Sequence, residues 1–155
     1  MKIGVISDTH GLLDSSVATH FAGVDHIFHG GDVGPYSLLS RLERIAPLTA
    51  VLGNTDDSSL GLREFEVLTL GERKFLVMHI VDPDAMSHEL QGLMDRMKPD
   101  VVIYGHTHQP RELRRDGVLF LNPGSAGKQR FLQPRTVAIL TISTTAMEVQ
   151  MINLE

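Results

Sequence analysis

Cysteine is absent from the 155 residues of the chain. Disulfides and thiolate metal sites are therefore excluded, and any metal must be held by oxygen or imidazole donors. The absence suits a reducing compartment, and a cytoplasmic location is expected. No apolar run approaches the ~20 residues that a membrane helix requires, so no membrane partner is expected. The apolar stretch at the N-terminus is short and meets Asp8 at once, so it does not read as a signal peptide. A surplus of positive charge is also lacking. Lys and Arg number 14 against 19 Asp and Glu, a formal charge of -5. That removes the electrostatic basis for broad nucleic-acid binding. Bound divalent ions would add local positive charge, so an anionic small substrate stays compatible with the acidic total. Internal repeats, linkers and low-complexity segments are missing too.

What is present is an ordinary globular composition, 42% hydrophobic and 21% charged, which argues against disorder. The length suits one domain over residues 1–155 with a core that needs no staples. Strands are expected at 2–6, 26–28 and 48–52. Between them, Asp14 reads as the N-cap of a modest helix reaching about Phe21, and Pro35 as the first turn of a second. Leu38, Leu39, Leu42 and Ile45 form the apolar face of that second helix. This β-α-β-α-β order predicts a parallel sheet. Further on, 65–70 and 74–78 flank a turn at Gly71-Glu72-Arg73. Met86, Leu90, Leu93, Met94 and Met97 predict a helix that ends at Pro99, with its methionines filling core. Strands at 101–104, 111–115 and 118–121 follow, the last two joined by Asp116-Gly117. Residues 136–142 and 148–152 read as a closing antiparallel pair. The predicted fold is an α/β two-sheet sandwich with helices outside.

Five polar residues share one position in this scheme. Asp8, Asp32, Asn54, His79 and His106 each lie just beyond the C-terminal end of a predicted strand. In open α/β sheets that is where ligands bind. Glycines accompany several of them, at Gly30, Gly31, Gly53 and Gly105, as expected where backbone turns beside a site. Asp8/His10 and His106/His108 are i, i+2 pairs, which project to one side of an extended segment. Each motif alone has a plain reading. Gly-Asp marks a turn, a buried histidine is held by a hydrogen bond, and Asn after Gly tolerates left-handed backbone. Seven such residues at matched positions are a different matter, and together they suffice for two metal ions. Mixed imidazole, carboxylate and amide donors suit Mn, Fe, Zn or Ni better than Mg or Ca.

Asp8-x-His10, Gly31-Asp32, Gly53-Asn54, His79 and Gly105-His106-Thr107-His108 resemble the ordered signature of the calcineurin-like metallophosphoesterases. The short length and Asn122-Pro123-Gly124-Ser125 resemble the small YfcE-type phosphodiesterase subgroup. The resemblance implies an α/β/β/α sandwich. It also implies two divalent cations, Mn first, with Ni, Fe or Zn as alternatives. Asp8, His10, Asp32 and His108 would hold one ion. Asp32, Asn54, His79 and His106 would hold the other, with Asp32 bridging. Asp32 and Asn54 would take part in catalysis, as a metal-bridging hydroxide attacks a small or activated phosphodiester. Two other readings stand beside it: a non-catalytic metal-binding scaffold on the same fold, and a phosphomonoesterase or nucleotide hydrolase. A homo-oligomer is left open.

Two departures from the family pattern stand out. Thr55 follows Gly53-Asn54 where relatives commonly carry histidine, and it offers no proton near neutral pH. A histidine introduced there would have Asp56 beside it to orient the ring. Ile80-Val81 follows His79 where relatives tend to have Gly-His. Elsewhere, His29 reads as a supporting residue, and His20, His26 and His88 as surface or helix positions. Arg111, Arg114, Arg115, Lys128, Arg130 and Arg135 read mainly as solvated charges and ion pairs.

Overall fold

The computed structural model describes residues 1–155. Ten strands form two five-stranded sheets. The first contains β1 (Lys2–Ile6), β2 (His26–His29), β3 (Leu48–Ala50), β9 (Thr136–Ile142) and β10 (Met147–Asn153), in the order β10-β9-β1-β2-β3. The second contains β4 (Phe65–Leu70), β5 (Arg73–Met78), β6 (Val101–Ile103), β7 (Arg111–Arg115) and β8 (Val118–Asn122), in the order β4-β5-β6-β8-β7. Strands β1 to β3 pair in parallel, as do β5, β6 and β8. Antiparallel strands close the edges.

Side-chain alternation explains the layers. On β1, Ile3 and Val5 face the second sheet, while Ile6 faces the helices. On β5, Phe75 and Val77 point inward and Leu76 points outward. A period of two thus gives each strand one face per core layer. Between the sheets, Phe28 stacks on Phe75 with ring centroids 4.9 Å apart. Outside the first sheet lie α1 (Ser16–His20) and α2 (Tyr36–Glu43), through Val17, Leu38, Leu39 and Leu42. Outside the second lies α3 (His88–Met97), through Leu90 and Leu93. The result is the α/β/β/α sandwich. None of these helices is long and apolar enough to cross a membrane.

Local differences from the sequence reading have physical reasons. Asp14 does not cap α1 from the N-cap position, which Ser15 occupies. Its carboxylate instead accepts from Ser16 N and Oγ, at 2.9 and 2.6 Å, and pairs with Arg135 at 3.0 Å. Pro35 is the N-cap of α2, not its first residue, and the helix stops at Glu43, short of Ile45. The turn between β4 and β5 is two residues tight, because Leu70 pairs with Arg73 and Gly71 takes φ +59°. A single 3₁₀ turn, Ser58–Leu60, escaped the periodicity reading, being too short to show one. Its cap is the Asp57 carboxylate, which accepts from Ser59 N.

Candidate metal centre

The C-terminal ends of the parallel strands deliver the seven predicted donors to one cleft. Asp8 follows β1, Asp32 follows β2, Asn54 follows β3, His79 follows β5 and His106 follows β6. The donors form an unbroken chain of short contacts. His108 Nε2 lies 3.2 Å from Asp8 Oδ1 and 3.4 Å from His10 Nε2. His10 Nε2 lies 3.7 Å from Asp32 Oδ2, which is 3.3 Å from His79 Nε2. Asn54 Oδ1 then sits 2.9 Å from His79 Nε2 and 3.0 Å from His106 Nδ1. Asp8, Asp32 and His79 are buried at the floor, His10 and His108 are half-buried, and Asn54 and His106 stand at the rim.

Backbone conformation marks the same residues. Asp8, His10, Asp32, His106 and His108 have φ between +45° and +71°. Non-glycine residues rarely occupy this left-handed region, and each such residue costs ~1–3 kcal/mol that its surroundings must offset. Here they do. Asp8 N donates to Gly31 O and His10 N to Asp32 O, at 3.0 and 2.9 Å. Ser125 Oγ donates to Asp8 O at 3.0 Å. Close approach of backbone accounts for two glycines. A Cβ on Gly53 would collide with Asp32 N and Oδ1, and one on Gly105 with Ser7 Oγ and Asp8 Oδ2.

Hydrogen bonds set the charge states. Burial alone would raise the Asp8 pKa, but hydrogen bonds from His108 and Ser7 and the charge of His79 outweigh it and hold the carboxyl below its ordinary value. Asp32 is also desolvated, and bonds from His79 and Thr55 hold it well below the carboxylate range. For His79 burial is opposed by Asp32, Asp8 and Gly30, which raise its pKa. For His10 burial prevails over the attraction of Asp32, and its pKa falls.

The His79 ring provides a test of metal fit. Its Nδ1–H donates to Gly30 O at 2.7 Å, which turns Nε2 into the cleft. There Nε2 faces Asn54 Oδ1 and Asp32 Oδ2, both acceptors. A neutral ring would point its lone pair at two oxygens. Positive charge is called for at this point, supplied by a proton on Nε2 in the metal-free protein or by a bound divalent ion in its place. The donor types match a divalent transition ion. Two groups have ligand atoms within 4.8 Å of one another: Asp8, His10 and His108, and Asp8, Asp32 and His79. As the side chains stand, Asp8 belongs to both groups. The resemblance had given the shared position to Asp32 alone.

Several supporting residues were not evident in the sequence. Ser7 Oγ donates to Asp8 Oδ2 at 2.7 Å. Asn122 Nδ2 donates to Gly105 O and to Thr107 Oγ1, each at 3.0 Å. Asp56 accepts from the backbone N–H groups of Val33, Gly34 and Gly53, at 3.1, 3.1 and 2.9 Å. Its carboxylate is therefore committed, and it is not placed to orient an imidazole at position 55, contrary to the sequence reading. His26 is another correction. It is buried on β2 with Nε2 2.9 Å from Thr49 Oγ1, not a surface residue. The arginines behave as expected, for Arg111 and Arg115 pair with Asp84 and Arg114 with Glu112.

His29 supports the cleft from below. Nδ1 accepts from Gly31 N at 3.1 Å, so Nε2 carries the proton and donates to Thr9 Oγ1 at 2.9 Å. Thr9 Oγ1 in turn donates to Val33 O at 2.7 Å. Complete burial is the main cause that lowers the His29 pKa to about 4. An unfolded histidine titrates near ~6.5, so between that pH and about 4 only the unfolded chain takes up the proton. The contribution of His29 to stability is full above the unfolded pKa. It should fall by ~3 kcal/mol as pH drops through this window and change no further below it. In the metal-free protein, NMR should show His29 ring resonances that stay flat from pH ~8 to ~5. A midpoint near ~6.5 would contradict this burial argument.

Comparison with known proteins agrees with the geometry. Residues 1–145 match the family model for the calcineurin-like phosphoesterase superfamily domain. A protein of Methanocaldococcus jannaschii named a probable metallophosphoesterase is 40% identical over 132 residues, covering 81% of this chain and 68% of its own. Among solved structures, an archaeal phosphodiesterase superposes with a TM-score of 0.81 at 27% identity, covering 99% of this chain and 100% of its own. The E. coli phosphoesterase YfcE gives a TM-score of 0.69 at 26% identity, covering 91% and 88%. The chain belongs to the calcineurin-like phosphoesterase superfamily.

Proposed function

We propose that the protein is a dinuclear-metal phosphodiesterase acting on small or activated phosphodiesters. The observation that carries this reading is the position of Asp32 Oδ2, 3.7 Å from His10 Nε2 and 3.3 Å from His79 Nε2, amid seven converging donors. Asp8, His10, Asp32 and His108 would hold one ion, and Asp32, Asn54, His79 and His106 the other. Mn is the first candidate, with Ni, Fe or Zn as alternatives. When bound, two such cations supply positive charge for the phosphoryl oxygens and make water a nucleophile at neutral pH.

The protein's own residues do the rest. Asp32 stays ionised, fixed through Oδ1 by Thr55 N at 2.9 Å. Gly30 O holds the His79 ring in one tautomer. Asn54 Oδ1 faces two imidazoles, which leaves its amide nitrogen to orient a phosphate. These groups are fixed before substrate arrives, so developing charge meets them without reorganisation. The Thr55 hydroxyl supplies no general acid, which favours leaving groups that need no proton. The complete donor set, much of it held in left-handed backbone, weighs against a scaffold with no catalytic demand.

Chelator-stripped protein, reloaded with single metals, tests this reading on bis-p-nitrophenyl phosphate and p-nitrophenyl phosphate. Mn, Ni or Fe should restore diester hydrolysis better than Ca, and the diester should be the better substrate. Undiminished activity in fully stripped protein would exclude the metal mechanism, and a monoester preference would make the protein a phosphomonoesterase.

A further inference from the structure

Arg135 departs from the solvated role expected of it. It is half-buried, and its head is directed at backbone. Nε donates to Gly127 O at 2.7 Å, Nη2 to Ala126 O at 3.2 Å and Nη1 to Leu154 O at 3.3 Å. Nη2 also lies 3.0 Å from Asp14 Oδ2. These contacts use the planar fork of donors that lysine lacks. The contacts with Leu154 and Asp14 secure the C-terminal end and the approach to α1. Those with Ala126 and Gly127 lead to the cleft.

One peptide unit carries the contact inward. The oxygen of the Ala126–Gly127 peptide accepts from Arg135, and its N–H donates to Asp8 O at 3.2 Å. A charged donor on that oxygen polarises the amide and strengthens the bond its N–H makes. The preceding peptide is arranged alike, for Ser125 O accepts from Thr136 N at 2.9 Å while Ala126 N donates to Ser7 O at 3.0 Å. Ser125 Oγ adds a second bond to Asp8 O. The approach is close, since a Cβ on Gly127 would lie 2.6 Å from both Asp8 O and Thr9 O. Asp8 sits at φ +53°, a conformation that its surroundings must hold. Its carboxylate in turn accepts from His106 N at 3.0 Å and lies 3.2 Å from His108 Nε2. Asp8 follows a strand of the first sheet and His106 one of the second. The crossing from β8 to β9 is what joins their two loops, for at its start Asn122 Nδ2 holds Gly105 O. We propose that Arg135 is a positioning residue for the metal centre, holding Asp8 in register with His106 and His108 through the Ala126–Gly127 peptide. The consequence for metal rests on the two-metal reading above; the consequence for Asp8 does not.

Amide hydrogen exchange of the metal-free protein and calorimetric titration with Mn test this on Arg135→Lys, Arg135→Ala and Asp14→Asn beside the parent. Lysine keeps the charge but cannot hold both carbonyls, and it carries the comparison if the alanine variant does not fold. The His106 N–H, which donates to the Asp8 carboxylate, should exchange about 10-fold faster in the Arg135 variants. The Thr55 N–H, which donates to Asp32, should keep the parent rate. Affinity for one of two Mn ions should fall about 10-fold, as when a group that orients a ligand is lost, and the other should hold. Asp14→Asn removes only the ion pair and should leave both readouts at parent values. An unchanged His106 rate, or equal acceleration at His106 and Thr55, would overturn the proposal, the second outcome marking general destabilisation. So would an Asp14→Asn protein that behaves like the Arg135 variants. If the parent binds no Mn, the two-metal reading fails and the exchange rates alone decide the role of Arg135.

Discussion

Asp32→Asn should lower phosphodiester turnover ~10³-fold or more and release at least one metal ion per chain, the scale expected for loss of a main electrostatic stabiliser. The reasoning is geometric. Asp32 Oδ2 stands between the imidazoles of His10 and His79, and Oδ1 is held by Thr55 N. One charge removed here is removed from both proposed ion positions. Asparagine keeps the shape and can still accept from Thr55, so the fold should survive the change. Metal analysis and turnover measured on the same preparation separate the outcomes. Two ions retained with near-normal turnover would contradict the bridging role.

Asp56→Ala should weaken the site without touching it. The Asp56 carboxylate joins Val33 and Gly34, which follow Asp32, to Gly53, which precedes Asn54. It thereby fixes the distance between two proposed ligands. Alanine leaves three backbone donors without their acceptor. An unsatisfied buried group costs ~1–3 kcal/mol, but Asp56 is only half-buried and water will replace part of the loss. A destabilisation of ~2–4 kcal/mol is expected for the metal-free protein. Metal affinity should fall ~10–100-fold, as when a partner that orients a ligand is removed. Asp56→Asn, which keeps one acceptor oxygen, should fall between. Urea unfolding and metal titration of all three proteins check this. Unfolding within ~0.5 kcal/mol of the parent, with unchanged affinity, would show that Asp56 does not tie the loops.

The strands were legible because each carries a local signal. β-Branched runs and Gly or Asp-Gly turns bound β1, β7 and β8 closely to their observed limits. Layering was legible from the change between parallel and antiparallel segments. The ends of the helices were less so: α2 stops at Glu43 with Arg44 as its C-cap, three residues before Pro47, although the apolar spacing runs on to Ile45. The donors were legible by their common place after strands, a topological fact that spacing carries. Their support was not. Asp56 and Asn122 act through the backbone of residues distant in sequence, up to 23 positions away for Asp56, and Ser7 through the Asp8 carboxylate beside it. No pattern of residue types marks such contacts. Asp56 could have been sought, because it lies two residues after Asn54 in a loop whose N–H groups need acceptors. His26 misled because its partner, Thr49, belongs to the neighbouring strand. The left-handed φ of five donors is likewise invisible in the sequence, since neither aspartate nor histidine demands it.

Anomalous scattering from crystals of the Mn-loaded protein tests the dinuclear centre most directly. Two peaks ~3.5–4 Å apart are expected in the cleft, the usual separation in two-metal sites. One should contact Asp8, His10 and His108, the other Asn54, His79 and His106, with Asp32 touching both. A single peak, or two peaks with Asp32 on only one of them, would contradict the bridged two-metal centre.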